Sequence, residues 1–172
     1  MYKKRIIILN ENQIRYIVRE SVKGLKNDES QDRFASACSY IYCQNENNEW
    51  CILGAKRGSS APSDGGKYNP PMGMKEFWED VTSCAVRECE EETGLSLPPN
   101  KFKLINSEQW APNRLGANFL VVLDGCTSDY QTGFGDGEND RFEWISIDEI
   151  NPPNWAYQTG YVALEFFKKY IG

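Results

Sequence analysis

Residues 87 to 92 read Arg-Glu-Cys-Glu-Glu-Glu, and Gly94 follows two positions later. On a helix, Glu88, Glu91 and Glu92 stand at i, i+3 and i+4, so their carboxylates share one face. Gly94 is placed as the C′ glycine of that helix, which puts Glu91 and Glu92 in its last turn, where the helix dipole disfavours anions. Each like-charge pair costs about 0.2–0.5 kcal/mol. A segment selected for stability alone would not carry that pattern. A divalent cation would convert the repulsion into ligation, since hard Mg²⁺ takes carboxylate oxygens. The plainer alternative is a solvated acidic helix face.

The residues around this cluster narrow the choice. Gly73, Glu79, Arg87, Glu88, Glu91, Glu92 and Gly94, with apolar Cys89 and Leu95, fit the pattern Gly, five residues, Glu, seven residues, Arg-Glu-apolar-x-Glu-Glu-x-Gly-apolar. With residue frequencies near 6–7%, seven chance matches have odds on the order of one in 10⁸ per window. The stretch from 73 to 95 resembles the Nudix box, and the chain is identified as a member of the Nudix hydrolase family, MutT-like. Many members carry glycine immediately before the first box glycine and before the first box glutamate, where this chain has Met72 and Trp78.

The resemblance implies an α/β fold, an α/β/α sandwich around a mixed β-sheet. It also implies a Mg²⁺- or Mn²⁺-dependent pyrophosphohydrolase, with water attacking phosphorus in a nucleoside diphosphate linked to another moiety. Glu88, Glu91, Glu92 and the Gly73 carbonyl match the family's metal ligands. Arg87 orders the carboxylates, and Glu79 is its electrostatic partner at the helix start. The group that deprotonates water varies within the family. Glu88 is one candidate, and Glu138, six residues before Trp144, is another, at a spacing resembling that of a loop glutamate in MutT-type enzymes. Glu138 also reads as an ordinary exposed loop acid beside Asp136 and Asp140. A non-catalytic nucleotide-sensing module of the same fold is the alternative function, disfavoured because a sensor has little need of three repelling carboxylates.

Substrate-binding residues are less legible. Trp110 could stack on a base and Arg114 could pair with a phosphate, both lying in the region after the box that often distinguishes subfamilies. The stretch from Lys56 and Arg57 to Lys67 and Tyr68 offers cations and an aromatic ring, or is simply a charged surface loop.

Local patterns set the frame. Residues 3 to 9 read as a short strand, and Asn10 with Gln13 forms a capping-box pattern opening an amphipathic helix over 11 to 25. Residues 1 to 32 are therefore expected to be a strand–helix extension and linker, and 33 to 172 the catalytic domain. Strands are expected at 34 to 43 and 50 to 56, joined by a hairpin turn at 45 to 48, and at 101 to 108, 117 to 124 and 141 to 146. Residues 58 to 69 and 125 to 139 read as loops. A helix from about Thr159 should bury Ala163, Phe166, Phe167 and Tyr170.

Composition removes other classes. The chain has no histidine, which excludes Ser-His-Asp and Cys-His hydrolase mechanisms and histidine-bound zinc. The 172 residues carry a net charge of −6, with +5 in residues 1 to 26 and −11 in the remainder. An acidic body speaks against general nucleic-acid binding and suits a small anionic substrate that arrives with its metal. No apolar run reaches the ~18 residues of a membrane span. The six cysteines show no CxxC pair, so they are expected to be buried free thiols in a reducing cytoplasm. Whether the chain forms a homodimer is left open.

Overall fold

A computed structural model describes residues 33–112, 114–126 and 139–172, without the side chains of Trp110 and Ala111. The strand and helix expected within residues 1–32 lie outside the described residues. Seven strands and two helices follow in chain order: β1 Phe34–Gln44, β2 Trp50–Arg57, β3 Tyr68–Asn69, β4 Met72–Met74, α1 Val81–Thr93, β5 Lys103–Ala111, β6 Arg114–Val122, β7 Asn139–Ser146 and α2 Thr159–Tyr170.

All seven strands belong to one mixed sheet. β1 runs parallel to β6 and antiparallel to β2 and β4, while β7 lines the far edge of β2 and β5 pairs with β6. The hairpin between β1 and β2 closes on Asn45, whose Oδ1 accepts the N–H groups of Asn47 and Glu49. Asn48 takes φ 60° there, a conformation that asparagine tolerates better than most residues. Beyond three register pairs, β1 and β2 diverge. β3 then pairs with β2 at Ala55 and Lys56, and β4 pairs with β1 at Ser36 to Cys38. This fork carries Gly73 to the sheet position opposite Ala37, directly beneath α1.

Alternation along β1 sends side chains to two separate cores. Ala37 and Ile41 join Leu53, Phe119 and Val121 under Val81, Cys84, Ala85 and Cys89 of α1. Cys38, Tyr40 and Tyr42 point the other way, to Ala163 and Phe166 of α2 and to Trp155. Each large apolar side chain fully buried this way contributes about 1.5–3 kcal/mol. The Tyr42 hydroxyl, itself buried, donates to the Ala163 carbonyl at 2.7 Å. The result is the α/β/α sandwich.

Four expectations need correction. Cys43 and Cys126 are joined in a disulfide, whereas Cys38, Cys51, Cys84 and Cys89 are free and buried. The pairing joins residues 83 apart because the chain leaving β6 stays beside β1, a tertiary neighbourhood with no local spacing signal. The stretch 58 to 69 is not loop throughout, because Tyr68 and Asn69 form β3. The strand expected at 117 to 124 begins and ends earlier, as β6. Tyr170 is 38% exposed, its ring packing against Phe166 at the helix end rather than entering the core. Among the described residues, no helix is long and apolar enough to cross a membrane.

Candidate active site

α1 begins and ends on side-chain and backbone caps. Asp80 is the N-cap, its carboxylate accepting the Ser83 N–H at 2.8 Å. Gly94 closes the helix in the left-handed conformation, φ 73°, and its N–H donates to the Glu90 carbonyl. Between them the apolar stripe Val81, Cys84, Ala85 and Cys89 faces the sheet. That orientation fixes where the charged residues go. Arg87 and Glu88 are placed at the margin of the buried face, and Glu91 is exposed.

Arg87 is the hub of the site. Its Nε and Nη2 donate to both carboxylate oxygens of Glu79, at 3.1 and 2.6 Å. Nη1 donates to Glu88 at 2.6 Å and to Glu91 at 2.9 Å, and Nη2 reaches the Met74 carbonyl at 3.0 Å. One guanidinium therefore ties the segment before the helix to two turns of it. The eight-residue separation of Glu79 and Arg87 is bridged because Glu79 precedes the N-cap and folds back, receiving the Glu76 N–H at 2.7 Å.

The electrostatics follow from burial and partners. Burial pushes the Glu79 carboxyl up, but the Arg87 hydrogen bonds, the Glu76 N–H and the Arg87 charge outweigh it and hold it below the usual range. Glu88 goes the other way: burial raises it, Arg87 opposes, and the charges of Glu91 and Glu79 add to the rise. The hydrogen bonds to Glu79 raise Arg87 further above its ordinary value, and those to Glu88 and Glu91 add to the rise.

Gly73 packs on Glu88. A Cβ built at Gly73 would fall 2.1 Å from the Glu88 carboxyl carbon and within 2.3 Å of both its oxygens. Only a residue without a side chain lets that carboxylate sit against β4. One residue earlier, the Met72 N–H donates to Glu92 at 3.3 Å. Met72 and Trp78 both lie outside the left-handed backbone region, so neither position requires the glycine that many family members have there. The structure thus gathers Gly73, Glu79, Arg87, Glu88, Glu91 and Glu92 where β4 meets α1. Among the described residues, no three acidic or thiol side chains form a ready-made cation site, since Glu88 and Glu91 turn onto Arg87.

The other candidates are dispersed. Arg57 is buried at the end of β2, its Nε donating to the Ser63 carbonyl at 3.1 Å and its guanidinium 5.5 Å from the Tyr157 ring. Lys67 pairs with Asp64 at 2.7 Å. Arg114 is exposed at the start of β6, and Trp110 lies within β5. Glu138 lies outside the described residues. Sequence reasoning did not name the Met74 carbonyl, the Met72 and Glu76 N–H groups or Asp80. The first three are backbone atoms and leave no residue signal. Asp80 was findable, as an aspartate just ahead of an apolar-periodic helix.

The NUDIX domain family model matches residues 33–166. No curated protein sequence matches the chain. Among solved structures, the chain is similar to a Caenorhabditis elegans Ap4A hydrolase in a binary complex, with a TM-score of 0.58 and 18% identity over 77% of this chain and 95% of that one. It is also similar to a MutT/nudix family protein of Enterococcus faecalis, with a TM-score of 0.54 and 15% identity over 77% of this chain. A third is a bifunctional NMN adenylyltransferase/ADP ribose pyrophosphatase of Francisella tularensis complexed with AMP and manganese, with a TM-score of 0.57 and 19% identity over 90% of this chain. The chain spans 50% of the Enterococcus protein's length and 47% of the Francisella protein's. At these identities the structural likeness establishes the fold, and the family model carries the assignment: with its NUDIX domain over residues 33–166, the chain belongs to the Nudix family.

Proposed function

We propose that this chain is a divalent-metal-dependent pyrophosphohydrolase that cleaves a nucleoside diphosphate linked to another moiety. The carrying observation is the Glu88 carboxylate seated on Gly73 and tied through Arg87 to Glu79 and Glu91. The donors available around α1 suit a hard cation. Those of Glu88, Glu91, Glu92 and the Gly73 carbonyl are all oxygens, and the Arg87 guanidinium pairs with the three carboxylates of Glu79, Glu88 and Glu91. Glu88, Glu91, Glu92 and the Gly73 carbonyl would hold Mg²⁺ or Mn²⁺. When bound, the ion would neutralise the diphosphate and lower the pKa of water.

The chain's own residues have separate tasks in this reading. Glu79 is half of a buried pair whose role is to fix the Arg87 side chain. Arg87 keeps like-charged Glu88 and Glu91 from splaying apart and so preorganises the ligand face. Glu88, raised by burial, is one group able to accept the proton of the attacking water, and Glu138 is the other. Arg57, Lys67, Trp110 and Arg114 are proposed to contact substrate. The manganese and AMP in the Francisella structure and the Ap4A hydrolase name of the worm protein support a nucleotide-derived substrate. Residues 33–172 would form the catalytic unit, with 1–32 an extension of it.

A phosphate-release screen with Mg²⁺ and Mn²⁺ tests the proposal. It should cover nucleoside triphosphates, dinucleoside polyphosphates, ADP-ribose, NADH and nucleotide sugars. Metal-dependent turnover on at least one class is expected, lowered by orders of magnitude in Glu91→Gln. Folded protein with no turnover on any of them would overturn it. Retained ligand affinity without turnover would instead favour the sensing module, to which the turning of Glu88 and Glu91 onto Arg87 lends its only support.

A further inference from the structure

Three cysteines lie in a row across β2, β1 and the chain that leaves β6. Cys51 in β2 is the antiparallel register partner of Cys43 in β1. On the other side of Cys43 the chain leaving β6 still bonds to β1, the Leu123 N–H donating to the Tyr42 carbonyl at 2.8 Å and the Cys126 N–H to the Gln44 carbonyl at 3.2 Å. Cys43 is bonded to Cys126, whereas Cys51 is a free buried thiol. The central cysteine of the row therefore has a disulfide partner on one side and a thiol on the other.

The geometry of that row selects one reaction. Directly opposed residues of an antiparallel pair project from the same face. The Asn45 N–H bond to the Glu49 carbonyl makes that pair hydrogen-bonded, and two residues further from the turn the Cys43–Cys51 pair is of the same kind. Its Cα separation is then about 5.5 Å, inside the 4.4–6.8 Å range that disulfides span. Cys51 and Cys126 are two strand spacings apart, roughly 10 Å, beyond that range. Only Cys43 can be shared. Displacement at a disulfide sulfur also proceeds in line, the attacking sulfur opposite the leaving one, and that is the order in which the strands set Cys51, Cys43 and Cys126.

We propose that Cys51, Cys43 and Cys126 form an intramolecular thiol–disulfide exchange site in which Cys43 changes partner between Cys126 and Cys51. The Cys51 thiol gives up its proton, and its sulfur bonds to Cys43 Sγ. The Cys43–Cys126 bond breaks, and Cys126 leaves as a thiolate that takes up the proton. No oxidant or reductant is consumed, and the number of free thiols stays at four. The exchange moves the covalent tie from the chain after β6 to the β1–β2 hairpin. Burial raises the Cys51 pKa, with Glu49 and Glu149 adding to it, so the thiolate is scarce and exchange falls on the minutes-to-hours scale.

Trapping reads the exchange directly. Folded wild-type protein, purified without reductant, is incubated with N-ethylmaleimide and mapped by non-reducing peptide mass spectrometry. Cys126 is partly exposed whereas Cys51 is 4% exposed, so each exchange event delivers an alkylatable Cys126 and leaves a Cys43–Cys51 bond behind. Both products should accumulate together in wild type and be absent in Cys51→Ser. In Cys126→Ser treated with oxidised glutathione, a Cys43–Cys51 disulfide should form. The proposal is overturned if wild type gains no Cys126 adduct over a day, or if Cys51→Ser gains it at the same rate.

Discussion

Replacing Arg87 with Met keeps the aliphatic stem and removes the guanidinium, and the structure sets the size of the loss. Arg87 gives two hydrogen bonds to Glu79, whose side chain is only 8% exposed. Without them the Glu79 carboxylate keeps the Glu76 N–H and the weak Cys84 thiol donor. Removing one partner of a buried ion pair costs about 3–5 kcal/mol. Because Arg87 is itself 28% exposed, solvent screens part of the pair, and the lower end applies. The Glu91 contact adds only about 0.3–0.5 kcal/mol, since that carboxylate is 60% exposed. The expected destabilisation is about 3–4 kcal/mol, against a total of about 5–15 kcal/mol for a domain. Arg87→Lys retains the charge but not the fork, and should cost about 1–2 kcal/mol. Urea unfolding in EDTA measures all three proteins, with equal m-values required for comparison. A double-mutant cycle with Glu79→Gln should return a coupling of about 2 kcal/mol. A loss below 1 kcal/mol for Arg87→Met, or additivity with Glu79→Gln, would refute the view that Arg87 acts through a buried pair.

Gly73→Ala should displace the Glu88 carboxylate. Turnover should fall roughly 10²-fold, the scale of an ångström's misplacement, while far-UV circular dichroism stays native. Gly94→Ala makes the contrast. At φ 73° it should cost about 1–2 kcal/mol of stability and leave metal affinity, read by calorimetry, near wild type. Mg²⁺ at a hundred times its Kd should add about 2.7 kcal/mol, a Tm rise of about 5–10 °C that EDTA reverses and Glu92→Gln diminishes. Cys126→Ser should lose about 2–4 kcal/mol in chemical denaturation, because the disulfide closes a loop of 83 residues. Reductant should lower wild type to the same level and leave the variant unchanged.

Much of the site is local and therefore visible in one dimension. The 3.6-residue period sets which residues of α1 face the sheet, and Gly94 marks its end, so three carboxylates on one face follow from spacing alone. The long strands β1, β2 and β7 show themselves by composition and bounding turns. β3 and β4 do not, because two or three residues are too few to display alternation, although they form the fork that brings Gly73 under Glu88. Tyr170 fits the helical period but falls in the last turn of α2, where its ring stays 38% exposed beside the Lys103 and Lys169 ammonium groups.

By itself, the sequence determined the charge cluster, its helix and the glycine cap at its C-terminal end, because helical geometry depends only on near neighbours. The family resemblance added a partner for Arg87 but no geometry. Only the tertiary structure decided that the Arg87 guanidinium grips both oxygens of Glu79, that Gly73 must lack a side chain to admit Glu88, and that Cys43 lies between Cys51 and Cys126. Each of those contacts joins residues brought together by a turn or by strand order. Sheet pairing is non-local, and nothing in the spacing of two residues along a chain records which strands will lie side by side.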